Sequence, residues 1–122
     1  MTIAVDGLDF LALQVRDLDA AAGFFEKHLG LRRQAGSPPG AVVFDTKPVP
    51  VAVREPLPGT DLDAGRAGLG VALWFSTPDA HAMHDKLAGA GIEILAPVAD
   101  SPFGPVFSFV GPEGYVLTVH GS

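Results

Sequence analysis

Four histidines, one tryptophan and no cysteine set the chemical repertoire of this chain. Without cysteine there is no thiol nucleophile, disulfide or thiolate metal site. His81 and His84 stand three apart, a spacing that puts both on one face of a helix and can hold a metal. A metal needs three or four ligands, and the sequence places no carboxylate or third histidine beside them, so two surface histidines is the simpler account. His120 has a side chain suited to acid–base work near neutrality. It lies near the chain end with no identified carboxylate partner, and an exposed histidine is the plainer reading. His28 reads as an exposed residue in the last turn of a helix, and Glu113 as a solvated turn residue. No Ser–His–Asp arrangement, phosphate loop or pair of carboxylates at a defined spacing stands out. Trp74 is the residue with most to offer: its ring can stack on a planar or cationic ligand, worth about 0.5–2 kcal/mol beyond burial.

The elements that must position these residues come in two copies. LDFLALQVRDLD, Leu8 to Asp19, and GLGVALWFSTPD, Gly68 to Asp79, each read as a strand running into a helix start. Each helix ends at a glycine, Gly30 and Gly91, so one small module is written twice. In the first strand Leu11, Leu13 and Val15 share one face, and Phe10, Ala12 and Gln14 the other. In the second, Val71, Leu73 and Phe75 match the first set, and Gly70, Ala72 and Trp74 the second. Asp17 is the expected cap of the first helix, with Leu18, Ala21, Ala22, Phe25 and Leu29 as its apolar stripe. Thr77 is the expected cap of the second, with Pro78 at its first position and Ala80, Met83, Leu87 and Ala90 buried.

Between the copies, strands are expected at Leu31–Ala35, Ala41–Asp45 and Val49–Arg54. Pro48 and Pro50 suggest an irregular start or an edge position for the last of these. Glu55 to Ala67 has no apolar period and reads as a linker. Module boundaries of about 1–55 and 68–122, with a linker over about 56–67, follow. In the second module Ile92–Leu95 reads as a strand and Pro97–Pro105 as a loop. Val106–Val110 and Tyr115–His120 read as a hairpin across Gly111–Gly114. Pairing Val110 with Tyr115 would set Phe107 opposite Thr118 and Phe109 opposite Val116. A one-residue slip would invert the faces.

At 122 residues a single domain is expected, and 48% hydrophobic against 18% charged residues suits a folded globule. No apolar run approaches the roughly 20 residues that span a bilayer. The start, MTIAVDGLDF, lacks a basic region followed by an apolar block, so no leader is expected and the cytoplasm is the expected compartment. A net charge of −6 repels phosphate backbones, which argues against nucleic acid. It serves solubility, and it would tolerate a cationic small molecule.

FLALQVRDLDAAAGFFEKHLGL, VALWFSTPDAHAMHDKLAGAGI and FSFVGPEGYVLTVH together resemble the vicinal oxygen chelate superfamily. That group includes glyoxalase I, extradiol dioxygenases, fosfomycin-resistance proteins, and bleomycin- and mitomycin-binding resistance proteins. The resemblance covers nearly the whole chain. It implies an α+β fold of two βαβββ modules whose mixed sheets curl into a partly open barrel, a binding site on the concave interior, and a homodimer. Enzymes of the group hold one divalent metal through His, Glu or Gln on the first and last strands of each module. The corresponding positions here are Phe10, Ala52, Gly70 and Thr118. A phenyl ring, a methyl, a hydrogen and one hydroxyl are a poor donor set.

The resemblance therefore implies no metal and no other cofactor, no assigned catalytic residue, and a small-molecule binding protein, with antibiotic sequestration as one form. The concave face would carry Phe10, Ala12, Gln14, Gly70, Ala72, Trp74, Phe107, Phe109, Thr118 and His120, with Ala52 and Arg54 if the modules correspond. Of these, Phe10, Gln14, Gly70, Trp74, Phe107, Phe109, Thr118 and His120 are the expected ligand contacts, an aromatic cup for a planar or cationic compound. The plainer alternative is that Trp74 and the phenylalanines fill the barrel. The rival function is an enzyme of the same group, a lyase, isomerase or dioxygenase, with metal ligands displaced to His120 or to His81 and His84.

Overall fold

The computed structural model describes residues 3–121. Contacts within the chain are densest inside two units, one up to Thr60 and one from Asp61 onward. The first unit contains β1 (Leu11–Gln14), α1 (Leu18–Leu29), β2 (Ala41–Phe44) and β3 (Val51–Arg54). The second contains β4 (Leu73–Ser76), α2 (Ala80–Gly89), β5 (Ile94–Ala99), β6 (Val106–Val110) and β7 (Val116–His120). The class is α+β, and the strands form two mixed sheets that are not closed into a barrel.

The two units share one connectivity. In the first, β1 runs parallel to β3, and β2 is antiparallel to β3. In the second, β4 runs parallel to β7, β6 is antiparallel to β7, and β5 lies outside β6. The expected strand at Leu31–Ala35 is reduced to one bridge, Arg33 to Phe44, in the place that β5 takes in the second unit. It is held by Gln34 N–H to Val43 O at 2.8 Å and Asp45 N–H to Arg32 O at 2.8 Å. Arg33 also makes a two-pronged ion pair with Glu26 on α1, at 2.9 and 3.0 Å, which keeps the Glu26 carboxyl below its ordinary value. The guanidinium is spent on the helix, and the chain turns at Gly36 rather than extending the ladder.

Both helices begin at an aspartate. Asp17 accepts from Ala20 N–H and Asp79 from Ala82 N–H, each at 3.0 Å, satisfying donors that a helix start leaves orphaned. The cap of α2 is thus Asp79, not Thr77, which accepts more weakly from Asp79 N–H at 3.4 Å. Val15 N–H donates to Arg54 O, and Thr77 N–H to His120 O, in the same place of each unit. Ala12 therefore corresponds to Trp74 and Gln14 to Ser76, two residues later than the sequence pairing suggests. β1 and β4 are also shorter than expected: Leu8 to Phe10 and Leu69 to Ala72 lie outside them. β3 is the central strand of its sheet despite Pro48 and Pro50 before it. β5 runs on through Pro97, which an edge strand with register shifts tolerates.

Each helix covers one face of its own sheet. In the first unit Ala21, Ala22 and Phe25 bury against Leu13, Val15, Val42, Phe44 and Val53, with Phe25 and Phe44 ring centroids 5.8 Å apart. In the second, Ala80 and Leu87 bury on the side of Phe107, Phe109, Leu117 and Val119. Met83 is half-buried and Ala90 exposed, so the stripe of α2 is narrower than expected.

The hairpin register is the main correction. The turn takes five residues, Gly111 to Tyr115, because Tyr115 is buried in it and Gly111 N–H donates to Tyr115 O at 2.8 Å. The bend brings Leu117 close: a Cβ added at Gly111 would fall 2.9 Å from Leu117 Cδ1, so the leucine side chain would have to shift. Val110 then pairs with Val116, Phe109 with Leu117, Ser108 with Thr118, Phe107 with Val119 and Val106 with His120. Phe107 and Phe109 consequently face the helix, 1% and 0% exposed, instead of sharing a face with Thr118. Burying such rings stabilises by about 1.5–3 kcal/mol each. Phe107→Ala should cost about 3–5 kcal/mol in denaturant unfolding, the cost of emptying a core site. A loss under about 1 kcal/mol would place the ring outside the core.

Candidate functional site

The face of the second sheet that α2 leaves open carries Trp74 on β4, Ser108 on β6, and Thr118 and His120 on β7. Trp74, Thr118 and Ser108 are direct cross-strand neighbours, as are Ser76, His120 and Val106. The Ser108 and Thr118 hydroxyls are 2.8 Å apart and half-buried. One hydroxyl hydrogen is used in that bond. The other is left to donate outward, and the oxygens can still accept.

Two further rings gather on Trp74, the cross-strand neighbour of Thr118. Trp74 and His120 have centroids 5.4 Å apart at 59°. Trp74 and Phe103 meet edge-on, 5.9 Å apart at 81°. Trp74 is 48% exposed and Phe103 65%, so both present ring surface to solvent. Phe103 reaches this place on a self-closed turn between β5 and β6. Ser101 Oγ donates to Gly104 O at 2.6 Å and accepts from Phe103 N–H at 3.1 Å. Gly104 holds φ 90, and a Cβ there would meet Gly121 O at 3.1 Å, so the turn needs a glycine. His120 ties the turn down: its Nδ1 lies 3.2 Å from Phe103 O.

Of the residues expected from sequence, Trp74, Thr118 and His120 are brought together. Phe107 and Phe109 are on the opposite face, in the core. Gly70 sits in a turn before β4 with φ 86. Phe10 and Gln14 belong to the first unit; Phe10 is exposed just before β1, and Gln14 Oε1 accepts from Leu57 N–H at 2.7 Å. Ser108 and Phe103 were missed. Ser108 could have been found by matching the apolar stripe Phe107, Phe109 to Leu117, Val119. Phe103 lies in an aperiodic loop that gives no such signal.

The metal fit fails at the positions the family uses. The shifted correspondence matches Phe10 to Ala72 rather than Gly70, and Phe10 and Ala72 both lie outside β1 and β4. With Ala52 and Thr118, a phenyl ring, two methyls and one hydroxyl do not suit a divalent cation. Among the described residues no three His, Cys, Asp or Glu side chains are grouped to hold one. His84 packs edge-on to Phe107, 5.3 Å away, and its Nδ1 pairs with Asp85 at 3.0 Å, while His81 is exposed. No helix among the described residues is long and apolar enough to cross a membrane.

A model of the Glyoxalase/Bleomycin resistance protein/Dioxygenase superfamily matches residues 7–119. The chain belongs to that superfamily. Its fold is shared with several solved structures. One is a glyoxalase/bleomycin resistance protein/dioxygenase from Nocardioides, 23% identical, TM-score 0.75, covering 97% of this chain and 84% of that one. Another is TnmS3, an antibiotic binding protein from Streptomyces sp. CB03234, 18% identical, TM-score 0.77, covering 98% of each. A third is the fosfomycin resistance protein FosX from Mesorhizobium loti, 17% identical, TM-score 0.72, covering 98% and 94%. No curated protein matches the sequence.

If Phe103 caps Trp74 from a surface turn, Phe103→Ala should leave unfolding nearly unchanged and shift tryptophan emission to the red as the indole gains water. An unshifted emission maximum would mean the two rings are apart in solution.

Proposed function

We propose that this protein binds a small planar aromatic molecule without a metal, holding it on the open face of the second sheet. The observation that carries this reading is the cluster of half-exposed Trp74, exposed Phe103 and His120, on the sheet face that also bears the Ser108–Thr118 hydroxyl pair. Exposed rings grouped around a few polar groups are the usual make-up of a small-molecule site. The donor set at the family's metal positions supports binding over metal-assisted catalysis. The fold shared with an antibiotic binding protein and a fosfomycin resistance protein supports antibiotic sequestration as the form this binding takes. A cytoplasmic homodimer, expected from the sequence, is carried forward as part of the proposal. The acidic net charge of −6 makes a neutral or cationic compound the better guest than an anionic one.

Trp74 is the sole tryptophan, so intrinsic fluorescence reports this site alone. A panel of quinones, polycyclic aromatics and planar cationic antibiotics should include compounds that quench it saturably, with EDTA making no difference. Phe103→Ala should weaken that binding by about 0.5–1.5 kcal/mol beyond the lost area. Emission unchanged by every compound, or quenching that EDTA abolishes, would contradict the proposal.

A further inference from the structure

We infer that His120 makes this site selective for an aromatic ligand bearing a hydroxyl, through a fixed imidazole tautomer that presents Nε2 as an acceptor. The inference rests on the binding reading above and narrows the ligand to a class, the aryl alcohols. Nδ1 of His120 lies 3.2 Å from the carbonyl oxygen of Phe103. A carbonyl only accepts, so the hydrogen bond requires the proton on Nδ1. In a neutral imidazole the other nitrogen, Nε2, then carries a lone pair. The two ring nitrogens point to different sides of the ring, and Nε2 has no hydrogen-bond partner among the described residues. The imidazole that carries it lies beside Trp74, ring centroids 5.4 Å apart, on the sheet face where a stacked ligand would lie.

The polar groups around Trp74 are therefore complementary. Nε2 takes a hydrogen from the ligand, and the Ser108–Thr118 pair has one hydrogen left to give. A hydroxyl on a planar ring can do both, donating to the imidazole while accepting from the pair. An ether or an unsubstituted hydrocarbon leaves the half-buried acceptor unpaired on binding, which costs affinity. The same histidine positions the Phe103 turn, so recognition and the placing of the aromatic wall share one side chain.

The two tasks separate by substitution. In His120→Asn the amide N–H can replace Nδ1–H toward Phe103 O, but nothing reaches the place of Nε2. The probes are 2-naphthol and 2-methoxynaphthalene, measured by calorimetric titration on the full chain. The wild type should bind the naphthol about fivefold to tenfold more tightly than the ether, although the ether is the more apolar. In His120→Asn both probes should weaken through loss of the imidazole ring beside Trp74, the naphthol by more than the ether, so that the preference between them is lost. Equal binding of both probes by the wild type, or a preference that survives in His120→Asn, would overturn this inference while leaving the aromatic site intact. Binding of neither probe would overturn the inference together with the site it rests on.

Discussion

The pairing of Ser108 with Thr118 fixes what the second sheet can do. Side chains alternate across a strand, so one register choice assigns every residue of β6 and β7 to the helix side or the open side. The pairing present puts Phe107, Phe109, Leu117 and Val119 together under α2. It leaves Ser108, Thr118 and His120 facing outward with Trp74. The opposite choice would set two phenyl rings beside Thr118 on the open face, away from Leu117 and Val119. The apolar side chains decide the matter, since four large groups bury at once only in the register observed.

The buried tyrosine turn transmits this choice. Tyr115 takes up one residue more than a four-residue loop would, and Gly111 lets Leu117 approach the bend. Polar chemistry then falls where the core does not need it. Ser108 and Thr118 satisfy one another, His120 steadies the Phe103 turn, and Trp74 remains half-exposed between two rings. The groups gathered on this face offer stacking and hydrogen bonding. The family's usual cation positions have no donors beyond one hydroxyl, which is the ground for proposing recognition without a metal.

Much of the architecture was legible in the sequence. The doubled strand–helix pattern, the Asp17 cap, the Gly30 stop and the α+β class are local signals, and the structure contains each of them. Three features were not legible. The Thr77-Pro78-Asp79 run offers two good capping side chains, and only the backbone bond Thr77 N–H to His120 O selects the second. The strand expected at Leu31–Ala35 is cut to a single bridge at Arg33 by the turn that follows at Gly36, and the apolar pattern does not show how far pairing runs before that turn. The hairpin register depended on how many residues the turn takes, and GPEG reads equally well with or without Tyr115. Of the site itself, Trp74, Thr118 and His120 were visible as types, but their companions Ser108 and Phe103 follow from pairing and from a loop.

The most direct test of this account is the β6–β7 register in solution, read from cross-strand NOEs in an isotope-labelled sample. The account requires backbone contacts between Ser108 and Thr118 and between Val106 and His120. Contacts between Phe107 and Thr118 instead would contradict it, because they would return the phenylalanines to the open face and remove the hydroxyl pair from the site.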